Sequence, residues 1–152
     1  MEMQKRFNIK AVAPNAVKAM IGLETYLAQT SLSKTVRELI KIRASQINGC
    51  AFCINMHTQD AIKGGETQQR VFLLSAWREA GSVFSEEEKV VLAMTEEITL
   101  IHRSGLTDET YANALKFFSE AQIADIIMAV VTINLWNRIV LGTDLLIGQS
   151  LA

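Results

Sequence analysis

The sequence predicts an all-α domain, and three observations carry that prediction. Leu, Ala, Glu, Lys and Gln recur along all 152 residues, while proline occurs once. No segment sustains the alternation of apolar and polar residues that a half-buried strand requires. Capping residues precede successive apolar runs, and glycines follow several of them. With 49% hydrophobic and 20% charged residues, the chain is neither disordered nor low-complexity. Its length suits one domain over residues 1–152, large enough to bury a core without staples.

Six to seven helices follow in order. Pro14 stands near the start of the first, which runs toward Gln29. Ser33 caps a second, running to about Asn48, where Gly49 breaks it. A third begins around Cys50 and ends at Gly64 and Gly65. Thr67 opens a fourth, closed by Gly81. Ser85 with Glu88 forms a capping box, and Glu86 and Glu87 add negative charge to the same first turn. That fifth helix runs to about Arg103, with Gly105 beyond it. Thr107, followed by Asp108 and Glu109, starts a sixth. Ser119 with Gln122 is a second capping box and starts the last long helix.

The last helix carries Ile123, Ile126, Ile127, Met128, Val130, Val131, Ile133, Leu135, Trp136, Ile139 and Val140, which leave little polar face. Such a helix must be covered all round, either as the central helix of a monomer or at a subunit interface. Its longest apolar stretch, Ile126 to Trp136, is broken by Thr132 and Asn134 and reads as too short to span a bilayer. The N-terminal ten residues hold no apolar signal-peptide core, and the expected location is the cytoplasm. A net charge of −1 gives no basic field for nucleic acid or an anionic membrane.

The two cysteines, Cys50 and Cys53, form one CxxC in the segment Asn48-Gly49-Cys50-Ala51-Phe52-Cys53-Ile54-Asn55-Met56-His57. On a helix, Cys50, Cys53 and His57 fall within an arc of roughly 60°. Thiols one turn apart can meet as a disulfide. An imidazole one turn further can take a thiol proton, because imidazole changes charge near neutral pH. Gly49 places Cys50 near a helix N-terminus, whose unpaired N–H groups favour a thiolate. That local argument makes Cys50 the more acidic thiol.

Other readings of the pair exist. A stapling disulfide would close too small a loop to constrain the unfolded chain. Two inert buried thiols are one alternative. A zinc site of Cys50, Cys53, His57 and His102 is another, although structural zinc ligands usually come as two close pairs and His102 stands alone. His102 otherwise reads as a cation complementing the end of the fifth helix. Trp77 and Trp136 read as core. Glu38 lies off the stripe of Val36, Leu39, Ile40 and Ile47, beside Ile42, which by spacing makes it a solvated or partner-facing carboxylate.

The stretch from Glu38 through Arg43-Ala44-Ser45-Gln46-Ile47-Asn48-Gly49-Cys50 and Cys53 to His57 strongly resembles the alkylhydroperoxidase D-like family of the carboxymuconolactone decarboxylase superfamily. Trp77-Arg78-Glu79, Thr95-Glu96-Glu97-Ile98-Thr99 and Ile133-Asn134-Leu135-Trp136-Asn137-Arg138 extend the resemblance over nearly the whole chain. It implies an all-α homo-oligomer, trimeric or hexameric, with thiol peroxidase activity and no cofactor. Cys53 would attack a hydroperoxide and Cys50 would resolve the sulfenic acid as a disulfide. His57 and Glu38 would relay protons. An external thiol, of lipoyl type in well-understood members, would reduce the disulfide. Those members carry a histidine where this chain has Phe52. The alternatives are a non-enzymatic redox-sensing thiol protein and a decarboxylase-type lyase.

Overall fold

The computed structural model describes residues 6–149. Among them are eight α-helices: α1 (Ile9–Val12), α2 (Pro14–Ala28), α3 (Lys34–Asn48), α4 (Ala51–Lys63), α5 (Gln68–Leu73), α6 (Glu86–Thr99), α7 (Asp108–Ala114) and α8 (Glu120–Thr143). The short α1, capped by Asn8, is the element beyond the expected six to seven. Helix α2 starts at Pro14 without a side-chain cap, and five of the others start at the caps read from sequence. The side chains of Ser33, Thr67, Ser85, Thr107 and Ser119 each accept a backbone N–H of the first turn. Ser85–Glu88 and Ser119–Gln122 are complete capping boxes.

Two helices end earlier than expected, and tertiary partners explain both. The helix after Thr67 does not reach Gly81: α5 stops at Leu73, and the chain winds as 3-10 turns over Leu74–Glu79 and Gly81–Val83. This tighter path buries Trp77, whose Nε1–H donates to Glu96 at 2.9 Å. A buried indole N–H must find such a partner. The helix expected to reach Arg103 ends at Thr99, because Leu100 leaves helical geometry. There Asn134 Nδ2 donates to Thr99 Oγ1 at 3.0 Å, and Glu97 accepts from the Thr107 backbone N–H at 2.8 Å and from Thr110 Oγ1 at 2.6 Å. The chain must turn back to bring Thr107 over Glu97. His102 therefore sits exposed in that turn, outside the helix whose dipole it was expected to complement.

The helix at the centre is α3, not α8. It packs against α4, α6 and α8. Ile40 and Ala44 enter one apolar cluster with Leu27, Met94, Ile126, Val130 and Ile133. Leu39 and Ile42 enter a second with Ala61, Leu74, Trp77, Phe84 and Leu92. A smaller third cluster holds both cysteines with Val140 and Leu145. Helix α8 buries Ile123, Ile126, Val130, Ile133 and Val140, but Val131 and Leu141 remain 41% and 47% exposed. By length and composition alone this 24-residue helix could cross a membrane, so the apolar run within it understated the element. Its core-facing stripe is nonetheless packed against α3 and α6.

Glu96 ties this framework together. It accepts from Arg43 Nε and Trp77 Nε1, each at 2.9 Å, and from Arg78. Burial pushes its carboxyl up, but the hydrogen bonds from Trp77, Arg78 and Arg43 outweigh that and hold it below the ordinary value. Glu88 behaves alike: burial is outweighed by Arg70, which donates from Nη2 at 2.5 Å, and by Ser85. A carboxylate held low in the fold stabilises it above the ordinary value of 4.5 and loses that contribution as pH falls through the folded-state value. Urea unfolding should therefore show stability declining below about pH 4.5. At neutral pH, Glu96→Ala should cost about 3 kcal/mol, since it strands Arg43 and the Trp77 N–H. An unchanged unfolding midpoint in that variant would contradict the assignment.

Candidate active site

Helices α3 and α4 form a hairpin joined by Gly49 and Cys50. Gly49 adopts φ +69°, left-handed backbone that a side chain disfavours. The Gly49 N–H reaches the Gln46 carbonyl at 3.3 Å and the Cys50 N–H reaches Ser45 at 3.0 Å, a Schellman closure of α3. The same turn is pinned to α8. Asn48 Nδ2 donates to Asn134 Oδ1 and Asn137 Oδ1, both at 2.9 Å, and Asn137 Nδ2 donates to Ser45 Oγ at 3.0 Å. Asn137 and Ser45 are fully buried, so each needs its partner.

Cys50 is the N-cap of α4, and its Sγ accepts the Cys53 N–H at 3.3 Å. The expectation that both cysteines and His57 share one helical face is corrected: only Cys53 and His57, four residues apart, lie on α4 proper. Gly49 directs the backbone into an extended conformation at Cys50, with φ −84° and ψ 90°. Cys50 and Cys53 are nevertheless joined as a disulfide, with Cα atoms 5.3 Å apart. Among the described residues no group of three or more His, Cys, Asp or Glu is arranged to hold a metal, so the zinc alternative has no geometric basis.

Glu38 is not solvated. It is 7% exposed, and His57 Nδ1 donates to its Oε2 at 3.0 Å across the hairpin. The wheel reading assumed one buried stripe, whereas α3 is covered on several sides. Burial pushes the Glu38 carboxyl up, but the hydrogen bond from His57 and the positive charges of His57, Lys41 and Lys34 outweigh it and hold it below the ordinary value. An ionised Glu38 accepts the Nδ1 proton in a hydrogen bond, so that in a neutral ring Nε2 would be the basic nitrogen.

Cys53 and His57 line one pocket of about 270 Å³ together with Glu24, Lys41, Phe52, Met56, Trp136 and Val140. Cys50 does not line it, although both cysteines are buried and share a cluster with Phe52, Val140 and Leu145. Trp136, read from sequence as core, packs half-buried against the main core cluster and also forms a wall of this pocket. Glu24 and Lys41 had no signal in the sequence, because they meet only through the packing of α2 against α3 and α8.

The site thus combines a disulfide-bonded cysteine pair, a carboxylate-oriented imidazole and a small apolar pocket that reaches one sulfur. Such an arrangement suits nucleophilic thiol chemistry. In the reduced protein, a small alkylating reagent should modify Cys53 before Cys50, as read by peptide mass mapping over time. Cys50 reacting first would mean that its helix-terminal position outweighs access.

The chain matches the model of the carboxymuconolactone decarboxylase family over residues 14–97. It is 47% identical over 137 residues to the uncharacterized protein YdfG of Bacillus subtilis (strain 168), covering 90% of this chain and 92% of that one. A crystal structure from Agrobacterium tumefaciens, of a protein of unknown function described as a candidate antioxidant defence protein AhpD, superposes with a TM-score of 0.92 at 35% identity. That match covers 97% of this chain and all of the other. An uncharacterized peroxidase-related protein from Silicibacter sp. TM1040 shares the fold, with a TM-score of 0.78 at 21% identity over 88% of this chain and 70% of that one.

Proposed function

The chain belongs to the carboxymuconolactone decarboxylase family, with an AhpD-like fold, and we propose that it is a thiol-dependent hydroperoxide reductase. The observation that carries the reading is the opening of Cys53, beside a Glu38-bound His57, into an apolar pocket, with Cys50 bonded behind it.

In the proposed cycle, His57 takes the Cys53 proton and Glu38 stabilises the imidazolium. The Cys53 thiolate attacks the terminal oxygen of a hydroperoxide. An S–O bond forms, the O–O bond breaks, and the departing alkoxide takes its proton from His57. Cys53 is then a sulfenic acid. Cys50 attacks it, the disulfide closes, and water leaves with the Cys50 proton. An external thiol, of dithiol or lipoyl type, attacks Cys53 through the pocket and expels Cys50 as thiolate. A second thiol then releases the oxidised donor and restores Cys53. The balance is one hydroperoxide and two thiols giving an alcohol, water and a disulfide. Such a donor is maintained in a reducing compartment, which makes the cytoplasm the proposed location. The protein would act as a homo-oligomer, trimer or hexamer, covering exposed Val131 and Leu141; light scattering giving the mass of one chain would count against this.

Hydroperoxide consumption with a dithiol donor tests the reading. Wild type should turn over. Cys50→Ser should complete one turnover and hold a trappable sulfenic acid on Cys53, and Cys53→Ser should do neither. Sulfenic acid found only in Cys53→Ser would reverse the roles. No peroxide consumption by wild type, with the disulfide still exchanging, would favour a sensing protein over an enzyme.

A further inference from the structure

One charged pair in the thiol pocket has no part in the cycle just described. Lys41 follows Glu38 by one turn of α3, and its side chain is 14% exposed. Its Nζ lies 3.2 Å from Glu24 Oε2, from α2, and 3.9 Å from Glu38 Oε1. The other Glu24 oxygen accepts from Trp136 Nε1 of α8 at 3.0 Å. A connected chain of polar groups therefore runs from His57 through Glu38 and Lys41 to Glu24 and Trp136, and all but Glu38 line the pocket that holds Cys53.

We propose that Lys41 is a positioning residue of the thiol site: its ammonium, anchored by Glu24, keeps Glu38 ionised and so keeps His57 oriented as the base toward Cys53. The inference rests on the thiol chemistry proposed above. The charges facing Glu38 are Lys34 and Lys41 on its own helix and His57 from α4, with Glu24 across the Lys41 ammonium. Glu66 lines the shallow cleft on the other side of Glu38; its Oε1 is engaged by Arg70 at 2.8 Å, while its Oε2 is buried without a hydrogen-bond partner.

The count of charge explains the need. Leaving aside Lys34, which does not line this pocket, Glu24, Glu38 and Lys41 sum to −1 before proton transfer, with a neutral thiol and a neutral ring. Transfer creates a thiolate and an imidazolium, and the sum stays −1. Without Lys41 the same step would proceed in a half-buried pocket at −2. Protonating Glu38 would be the easiest relief, and a protonated Glu38 no longer stabilises the imidazolium. Anchoring matters because a lysine left to itself would extend into water. Glu24 holds it back, and Trp136 fixes Glu24. A Glu24–Lys41 pair serving only to fasten α2 would contribute to stability and leave the chemistry of Cys53 untouched.

The test reads Cys53 directly, so that it does not depend on peroxidase activity. In a reduced Cys50→Ser background, the rate of iodoacetamide alkylation is followed against pH. Removing a positive charge that favours ionised Glu38 lets it protonate at higher pH. The acid limb of the profile should therefore move upward in Lys41→Met, on the order of 1 pH unit for an opposite charge at this range. Lys41→Arg, which keeps the charge, should restore the wild-type limb. Glu24→Gln, which loosens the anchor but keeps the ammonium, should move the limb upward by less than Lys41→Met does. If Lys41→Met does not fold, Lys41→Gln carries the same expectation. A wild-type acid limb in a folded but less stable Lys41→Met or Lys41→Gln would overturn the proposal and leave a mere brace. Wild-type protein that alkylates with the expected profile yet consumes no hydroperoxide would fail the peroxidase reading and leave this inference standing.

Discussion

The left-handed turn at Gly49 is the constraint on which the site depends. Any residue with a Cβ would meet a cost of about 1 kcal/mol or more at φ +69°. The turn reverses the chain within two residues, so α4 runs back along α3. That reversal brings Glu38 and His57 into hydrogen-bond contact although 19 residues separate them. It also leaves Cys50 outside the helix as its cap, and Cys53 inside the first turn. Relaxing the turn would separate the carboxylate from the imidazole. The Asn48–Asn134–Asn137–Ser45 seam guards against this by fastening the turn to α8.

That seam also explains why an otherwise apolar helix carries two asparagines. Thr132 and Asn134 look, in sequence, like interruptions of an apolar run. In the fold, Thr132 Oγ1 donates back to the Met128 carbonyl at 2.7 Å, and Asn134 links Thr99 of α6 to Asn48 of α3. Buried polar groups of this kind fix register. An apolar face can slide against its neighbour by part of a turn at small cost, but an asparagine pair cannot without stranding donors. The position of the dithiol relative to Trp136 and Val140 is set in this way.

Helix starts were legible because capping is local: a serine or threonine satisfies N–H groups two or three residues ahead, and nothing distant enters. Helix ends were less so. Leu73 and Thr99 terminate where they do because Trp77 must reach Glu96 and Thr107 must reach Glu97, both contacts made across the fold. The CxxC and His57 could be read from spacing, and Glu38 only from family resemblance, since periodicity places it off the main apolar stripe. Helix α3 has more than one buried side, so a residue off one stripe lies on another. Glu24, Lys41 and Trp136 come from three helices and share no sequence spacing at all.

The two cysteines answer to different physical terms, and the proposed cycle uses both. The cap position of Cys50, with the Cys53 N–H directed at its sulfur, favours negative charge there. Taken alone this would make Cys50 the nucleophile toward peroxide. But a lower thiol pKa also weakens intrinsic nucleophilicity and improves a sulfur as a leaving group. Both cysteines are buried, but Cys53 lines the pocket and Cys50 does not. Leaving requires no access, only a stabilised product. The cap therefore serves the reductive half of the cycle, when a donor thiol entering the pocket attacks Cys53 and Cys50 departs as thiolate. In the proposed cycle, attack on the hydroperoxide is given to Cys53, whose advantage is the pocket and the imidazole one turn away. On this argument helix-terminal stabilisation and access do not compete for one role. They assign the two sulfurs to opposite halves of one reaction.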